Sequence, residues 1–377
     1  MNNASVTVEN LKSDQIEWKQ LWSLAALYGS IVIGWIAYHR YQPKLLNQFN
    51  FTEFTLALIT VQGIVLVLTP PIAGRIGDRF RFKLGQGHRL PIISSGISFA
   101  AMIFMAVAFT LLGNPGEVFR WILPILIVLW LISMSIFTSP ALSTLELFTP
   151  VDKLPRAMAI LTIVGNLIYS LEPVIVDLID YLGAPITFML GGVVVFVSGY
   201  ALKKNSLSLF NTKAQRPRTE FKFDTQRSNY LYILVMGVAL GLTTTVLFNY
   251  FPELLQTNLN EITKLEGKWW VVLVLFATAV LSLPASNYIT RLGTYQSFWW
   301  SFLVNSVALL LLFFTGSGIV TMVLLLIYTV SFTILSISSL PLAIEKANYY
   351  EKVFCVGIFF SGVELPDAIV EVIQAMG

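Results

Sequence analysis

Two glutamates lie deep inside long apolar runs, where an acidic side chain is costly to keep. Glu172 falls in LTIVGNLIYSLEPVIVDLID and Glu364 in VFCVGIFFSGVELPDAIVEVI. An ionisable group at mid-bilayer costs about 2.5 to 3.5 kcal/mol on insertion scales, so it is retained where it faces a watery path and serves a function. Asp367 and Glu371 follow Glu364 at i+3 and i+7, which places the three acids on one helix face. A carboxyl in low dielectric favours its protonated form and can take up and release a proton, the chemistry of proton coupling. Glu364, Glu172 and Asp367 are therefore the candidate coupling residues. Pro173 and Pro366 offer a structural alternative, since each frees a backbone carbonyl that a protonated glutamate could satisfy. Asp177 and Asp180 lie further along and read as interfacial.

The elements that hold these acids follow from composition. Of 377 residues, 56% are hydrophobic and 12% charged, against roughly 25% charged in a soluble domain. Apolar runs of spanning length occur at about 20–38, 54–73, 91–112, 120–144, 156–180, 184–202, 229–251, 269–290, 294–315, 317–341 and 353–375. The fourth begins at Arg120, and only the fifth and the eleventh contain an acidic residue. Transmembrane strands would be alternating segments of about 10 residues, so the spans are helices. The class is all-α: a polytopic membrane protein of about eleven transmembrane helices. The first 19 residues are polar and no cleavable signal is apparent. The single cysteine, Cys355, lies within the last run, so neither an intrachain disulfide nor a thiol metal site is expected.

With the N-terminus in the cytoplasm, 19 of the 24 basic residues fall on the inside and 5 outside, which is the orientation that the positive-inside rule selects. A plasma (inner) membrane location is expected. The connection 203–228 is long, polar and basic, and divides six spans from five. It reads as a cytoplasmic linker beside anionic lipid rather than a nucleic-acid site, between bundles at 1–202 and 229–377. The halves repeat at an offset of 192 residues: Gly165, Tyr169, Glu172 in the fifth span correspond to Gly357, Ser361, Glu364 in the eleventh. Internal repeats of this kind build many transporters, with the site between halves near the midplane.

After the second span, GRIGDRFRFKLGQGHRLPII runs from Gly74 to Ile93. Its Gly-x-x-x-Asp-Arg order resembles the loop signature of the major facilitator superfamily. The spacing to Gly85, His88, Arg89 and Pro91 looks most like the sucrose/proton and glycoside-pentoside-hexuronide cation symporters. TPPIAGRIGD, SPALSTLELF, SSLPLAI, GIFFSGVELP and the Gly34-Trp35 pair with Pro43-Lys44-Leu45-Leu46 extend the likeness over most of the chain. The resemblance implies two pseudo-symmetric bundles, with the twelfth helix of the superfamily truncated or absent. It implies a gating loop of Gly74, Asp78, Arg79 and Arg89, in which Asp78 caps the cytoplasmic end of the eleventh helix. In the fourth span, ILPILIVLWLISMSIFTSPAL lacks the Asp in its body and the Arg near the Pro that sucrose-type symporters carry, so coupling by that route has no groups.

The spans that line the cavity in that superfamily point to substrate contacts: Trp35, Tyr38 and His39 on the first, Asn249 and Tyr250 on the seventh. Asn166 and Tyr169, within two turns of Glu172, join them. Rings stack on the C–H faces of sugars, and amides and carboxylates bond their hydroxyls. The implied function is secondary transport of a small solute, a sugar or glycoside, with protons and membrane lipid as the other partners. No cofactor, metal or nucleic acid is expected, and the chain is expected to act as a monomer. The alternative is a pigment-delivery or membrane assembly factor of the same superfamily. An enzyme is disfavoured: His39 and His88 fall on opposite sides, no nucleophile–base pair stands out, and the glycines of GQGHR follow no strand.

Overall fold

In hydrocarbon each backbone N–H and C=O must be satisfied inside its own segment, which an apolar run of about 20 residues achieves as a helix. The computed structural model describes residues 15–376 apart from 50, 52–53, 85–88, 114–115, 117–118, 215–227 and 261; among the described residues there is no strand. In chain order the helices are α1 (Trp18–Gln48), α2 (Thr55–Leu84), α3 (Arg89–Leu112), α4 (Phe119–Leu142), α5 (Leu145–Phe148), α6 (Leu154–Ser170) and α7 (Glu172–Leu182). They continue as α8 (Ala184–Ala214), α9 (Tyr230–Asn249), α10 (Phe251–Leu259), α11 (Gly267–Leu292), α12 (Thr294–Phe314), α13 (Gly318–Lys346) and α14 (Lys352–Met376). Ten are long and apolar enough to cross a membrane, and the bent pair α6 and α7 supplies an eleventh. The chain is an integral membrane protein with the expected all-α class and span count.

Three elements differ from their expected extents. The second helix does not stop at the apolar boundary: α2 runs on to Leu84, so Gly74, Asp78 and Arg79 stand on a helix end rather than in a loop. The basic stretch after residue 202 begins as a continuation of α8, helical to Ala214, and 215–227 lie outside the described residues. The fifth span is broken. Pro173 has no N–H to give and its ring crowds the carbonyl of Tyr169, so the helix ends at Ser170 and restarts at Glu172, turned by 58°.

Helices α2 and α14 pack antiparallel along their whole length. Backbones approach because small residues line the seam: a Cβ on Gly357 would lie 2.4 Å from the Pro70 carbonyl oxygen, one on Gly74 2.4 Å from that of Val353, and one on Gly63 3.0 Å from Ala368. The halves also meet where α6 packs on α11 and α13 and where α4 packs on α14. Elsewhere α1 packs on α8, α3 on α4 and α8, α9 on α14, and α12 on α13. One large core gathers Leu27, Phe104, Phe137 and Leu161 with their neighbours, and a second gathers Leu247, Phe251, Trp270 and Tyr328. Large apolar side chains such as Met102, Phe314, Ile319 and Leu326 face outward, as lipid rather than water requires.

Candidate binding cavity

Where the two sets of helices meet, they enclose a cavity of about 950 Å³ lined by α1, α2, α4, α6 and α7 on one side and α9, α11, α13 and α14 on the other. Its mouth carries Arg40, Asp177, Lys268 and Glu371, all from the face where α1 ends; its floor is built from Leu142, Met158 and Leu340. The cavity thus opens on one face. The outer segment α7 packs on α1 and α8, and the bend at Glu172 leaves the mouth beside it.

The opposite face is sealed. Asp78 accepts hydrogen bonds from the N–H groups of Val353 (3.3 Å) and Phe354 (2.8 Å). These are among the first amides of α14, which have no partner within the helix and sit at its positive end. The Arg75 guanidinium lies 5.7 Å from the centre of the Phe354 ring. Lys352 bonds Glu146 of α5 at 2.5 Å, the two side chains only 18% and 7% exposed. Deeper in, the Ser361 hydroxyl donates to the Val67 carbonyl at 2.5 Å. Each of these contacts joins an N-terminal helix to α14.

Of the residues singled out in the sequence, Trp35, Tyr38, His39, Asn166, Tyr169, Glu172, Asn249, Glu364 and Asp367 all line the cavity. Trp35 stacks with His39 (5.8 Å between centres), while Tyr38 stacks on Trp130 behind it (4.9 Å). Tyr169 meets Phe248 of α9 at 5.3 Å, a ring contact across the two halves. Tyr28 lies against Gly165, and both Tyr28 and Tyr169 are within electrostatic reach of Glu364. Asp367 accepts from the Asn249 amide at 2.9 Å. Glu172 is the first residue of α7, at the bend.

Tyr250 is not brought in. It sits at the α9–α10 junction, 42% exposed, edge-on to Phe313 and outside the lining. Arg79 is exposed at the end of α2, Arg89 is the first residue of α3, and Gly85 and His88 lie outside the described residues. Arg40 and Lys44 both pair with Asp180 at the open face.

Sequence reasoning missed the Glu146–Lys352 pair, although SPALSTLELF had been noticed for its pattern. It also missed Gln62 and Tyr28 as cavity residues, and noted Glu371 by spacing without selecting it for coupling. Among the described residues no group of three or more His, Cys, Asp or Glu is placed to hold a metal ion.

Comparison with known proteins agrees with this architecture. No curated protein matches. Among solved structures, a bacterial homologue of the iron transporter ferroportin, in an outward-facing state, superposes with a TM-score of 0.68 at 15% identity, over 96% of this chain and 91% of that one. The Escherichia coli fucose:proton symporter gives 0.61 at 12% identity, over 95% and 92%. A proton:xylose symporter bound to 6-bromo-6-deoxy-D-glucose gives 0.62 at 12%, over 93% and 88%. These likenesses establish the fold. The family model described as "Major Facilitator Superfamily" matches residues 24–365, and the chain belongs to that superfamily.

Proposed function

We propose that the chain is a secondary active transporter that moves a small polar solute through this cavity by alternating access, with protons as the coupling ion. The observation that carries it is the pairing of one sealed face with one open face around a cavity lined by acids. Moving the same site to the other side requires the α14 contacts of Asp78, Arg75 and Glu146 to open while the mouth beside α7 closes. In this reading the N-terminus is cytoplasmic, the sealed face is cytoplasmic, and the structure is outward-open. The bundles 1–202 and 229–377 move against each other, with 203–228 as the tether. The membrane is the plasma (inner) membrane and the working unit is a monomer.

Glu364 is the first candidate for proton binding, because it lines the cavity between Tyr28 and Tyr169 with no ion-pair partner among the described residues. Glu172, its repeat-mate, is second. Asp367 is held by Asn249 and acts with Glu364 on the same helix face. A sugar or glycoside is the solute class that the loop motif favours, and stacking rings beside amides suit it. Uptake into proteoliposomes with and without an imposed pH gradient tests the reading. Concentrative uptake that collapses with the gradient, and in Glu364→Gln, is the expected result. No uptake of any mono- or disaccharide removes the sugar assignment, and gradient-independent uptake removes the proton.

A further inference from the structure

The outer half of the fifth span joins its bundle through two bends. On the inner side the helix is interrupted at Leu171, ahead of Pro173, with the 58° turn. On the outer side Gly183 stands at φ 77°, where an added Cβ would meet only the Pro185 ring, at 4.0 Å. Between the bends Ile179 is the one buried residue of α7, while Val174, Leu178 and Tyr181 are each more than half exposed. Polar contacts of the last turn hold α7 to α1. Asp180 pairs with Arg40 and with Lys44 (2.9 Å), and the Tyr41 hydroxyl donates to the Ile179 carbonyl at 2.7 Å. Ion pairs as exposed as these hold weakly. They form a clamp that can be released.

Across the mouth, the start of α11 is fixed. Gly267 is buried against Pro252 of α10, and Trp270 and Val271 are buried beyond it. The fifth and eighth spans cross in opposite directions, and Ala159 of α6 shares a small core with Ile289 of α11. At about 1.5 Å per residue Asp177 lies roughly 27 Å along the fifth span from Ala159, and Lys268 roughly 32 Å along α11 from Ile289. A straightened span would therefore bring the two within one helical turn of the same height. The rims match in kind as well. Pro173, Val174 and Asp177 line the cavity on α7, and Val272, Trp269 and Lys268 line it on α11, apolar below and charged above on both sides. Asp177 pairs with no described residue, and Lys268 is held only by Glu266, both side chains 60% exposed.

We propose that α7 is an outer gate that moves separately from its own bundle. It leaves α1 and closes on the first turns of α11, exchanging the clamp of Arg40 and Lys44 on Asp180 for an ion pair between Asp177 and Lys268. Rocking of two rigid bundles would shut the mouth without this motion. The gate's purpose rests on the transporter reading, but its movement can be measured without transport.

The test is a set of spin-label distances on the full-length chain in liposomes. Labels at Leu178 and Leu265 span the mouth; labels at Leu178 and Phe109 stay within the N-terminal bundle. The clamp is released in the variant Arg40→Gln, Tyr41→Phe, Lys44→Gln, checked for a monodisperse fold by size exclusion. Release should enlarge, by at least about twofold, a population in which the first distance is shorter and the second longer. Adding Asp177→Asn or Lys268→Gln should remove that gain, and the two together should cost no more than either alone. A first distance that shortens while the second stays fixed, distances that ignore the release, or a gain that survives Asp177→Asn would each overturn the proposal. Gate motion in a chain that takes up no solute sinks the transporter reading and spares this one; proton-driven uptake with the Leu178 to Phe109 distance constant does the reverse.

Discussion

The fifth and eleventh spans are repeat-mates, each with a glycine seven residues before its glutamate, yet one is broken and the other is a single helix. Pro173 directly follows Glu172, and the chain turns by 58° there. Pro366 comes two residues after Glu364, and α14 continues through it to Met376. The glycines differ as well. Gly165 faces the Tyr28 ring of its own half, whereas Gly357 faces the backbone of Pro70 and Pro71 across the interface. The α2–α14 seam is therefore closed from end to end, while the α6–α11 seam gives way where α7 turns aside. One repeat, folded in two ways, supplies both the closed wall and the open mouth.

Breaking that comparison starts with the wall. Gly357→Val would drive a side chain into immovable backbone, so the seam must part. The expected effect exceeds the usual 1 to 3 kcal/mol or so of overpacking and is read as loss of folded protein in detergent by size exclusion and thermal melting. Next is the seal at its end. Lys352→Met removes the ion-pair partner of the buried Glu146 carboxylate, a change of up to about 3 to 5 kcal/mol for a buried pair. It should shift the population away from the outward-open state, raising alkylation of cysteines introduced on the sealed face.

Pro173→Ala acts on the mouth. With the N–H restored, the α6–α7 helix should straighten towards the form of its mate. The distance between spin labels at Leu178 and Leu265 should shorten while the fold is kept, and an unchanged distance would assign the bend to packing rather than to proline. The smallest effect is expected at Gly165→Ala, where the added methyl meets a tyrosine ring that can swing. A loss of about 1 kcal/mol or less, set beside the collapse of Gly357→Val, sharpens the contrast.

Much of this was legible in the chain because hydrocarbon imposes a strong local rule. Spanning runs announce themselves, and the isolated acids mark the cavity wall. Glu364, Asp367 and Glu371 were placed on one face by spacing alone, and all three line the cavity. Asp78 was read from a motif, and it lies at the start of α14. What was not legible is what local rules do not encode. The Glu146–Lys352 pair joins segments with no common pattern. Tyr250 was grouped with Asn249, but neighbours on a helix point about 100° apart; Asn249 turns to Asp367 while Tyr250 turns to Phe313. The extent of α2 past the apolar boundary was hidden for a related reason, since charged residues at a helix end read as loop.

The central claim, a single cavity that exchanges its opening between two faces, is tested most directly by paired distance measurements on the full chain in liposomes. Labels at Leu178 and Leu265 report the open face, and labels at Phe80 and Tyr295 report the sealed one; Cys355 is fully buried and should stay unlabelled. On acidification with a transported solute, the first distance should shorten as the second lengthens, in the same fraction of molecules. Distances that stay fixed on both faces, or that lengthen together, would contradict the account.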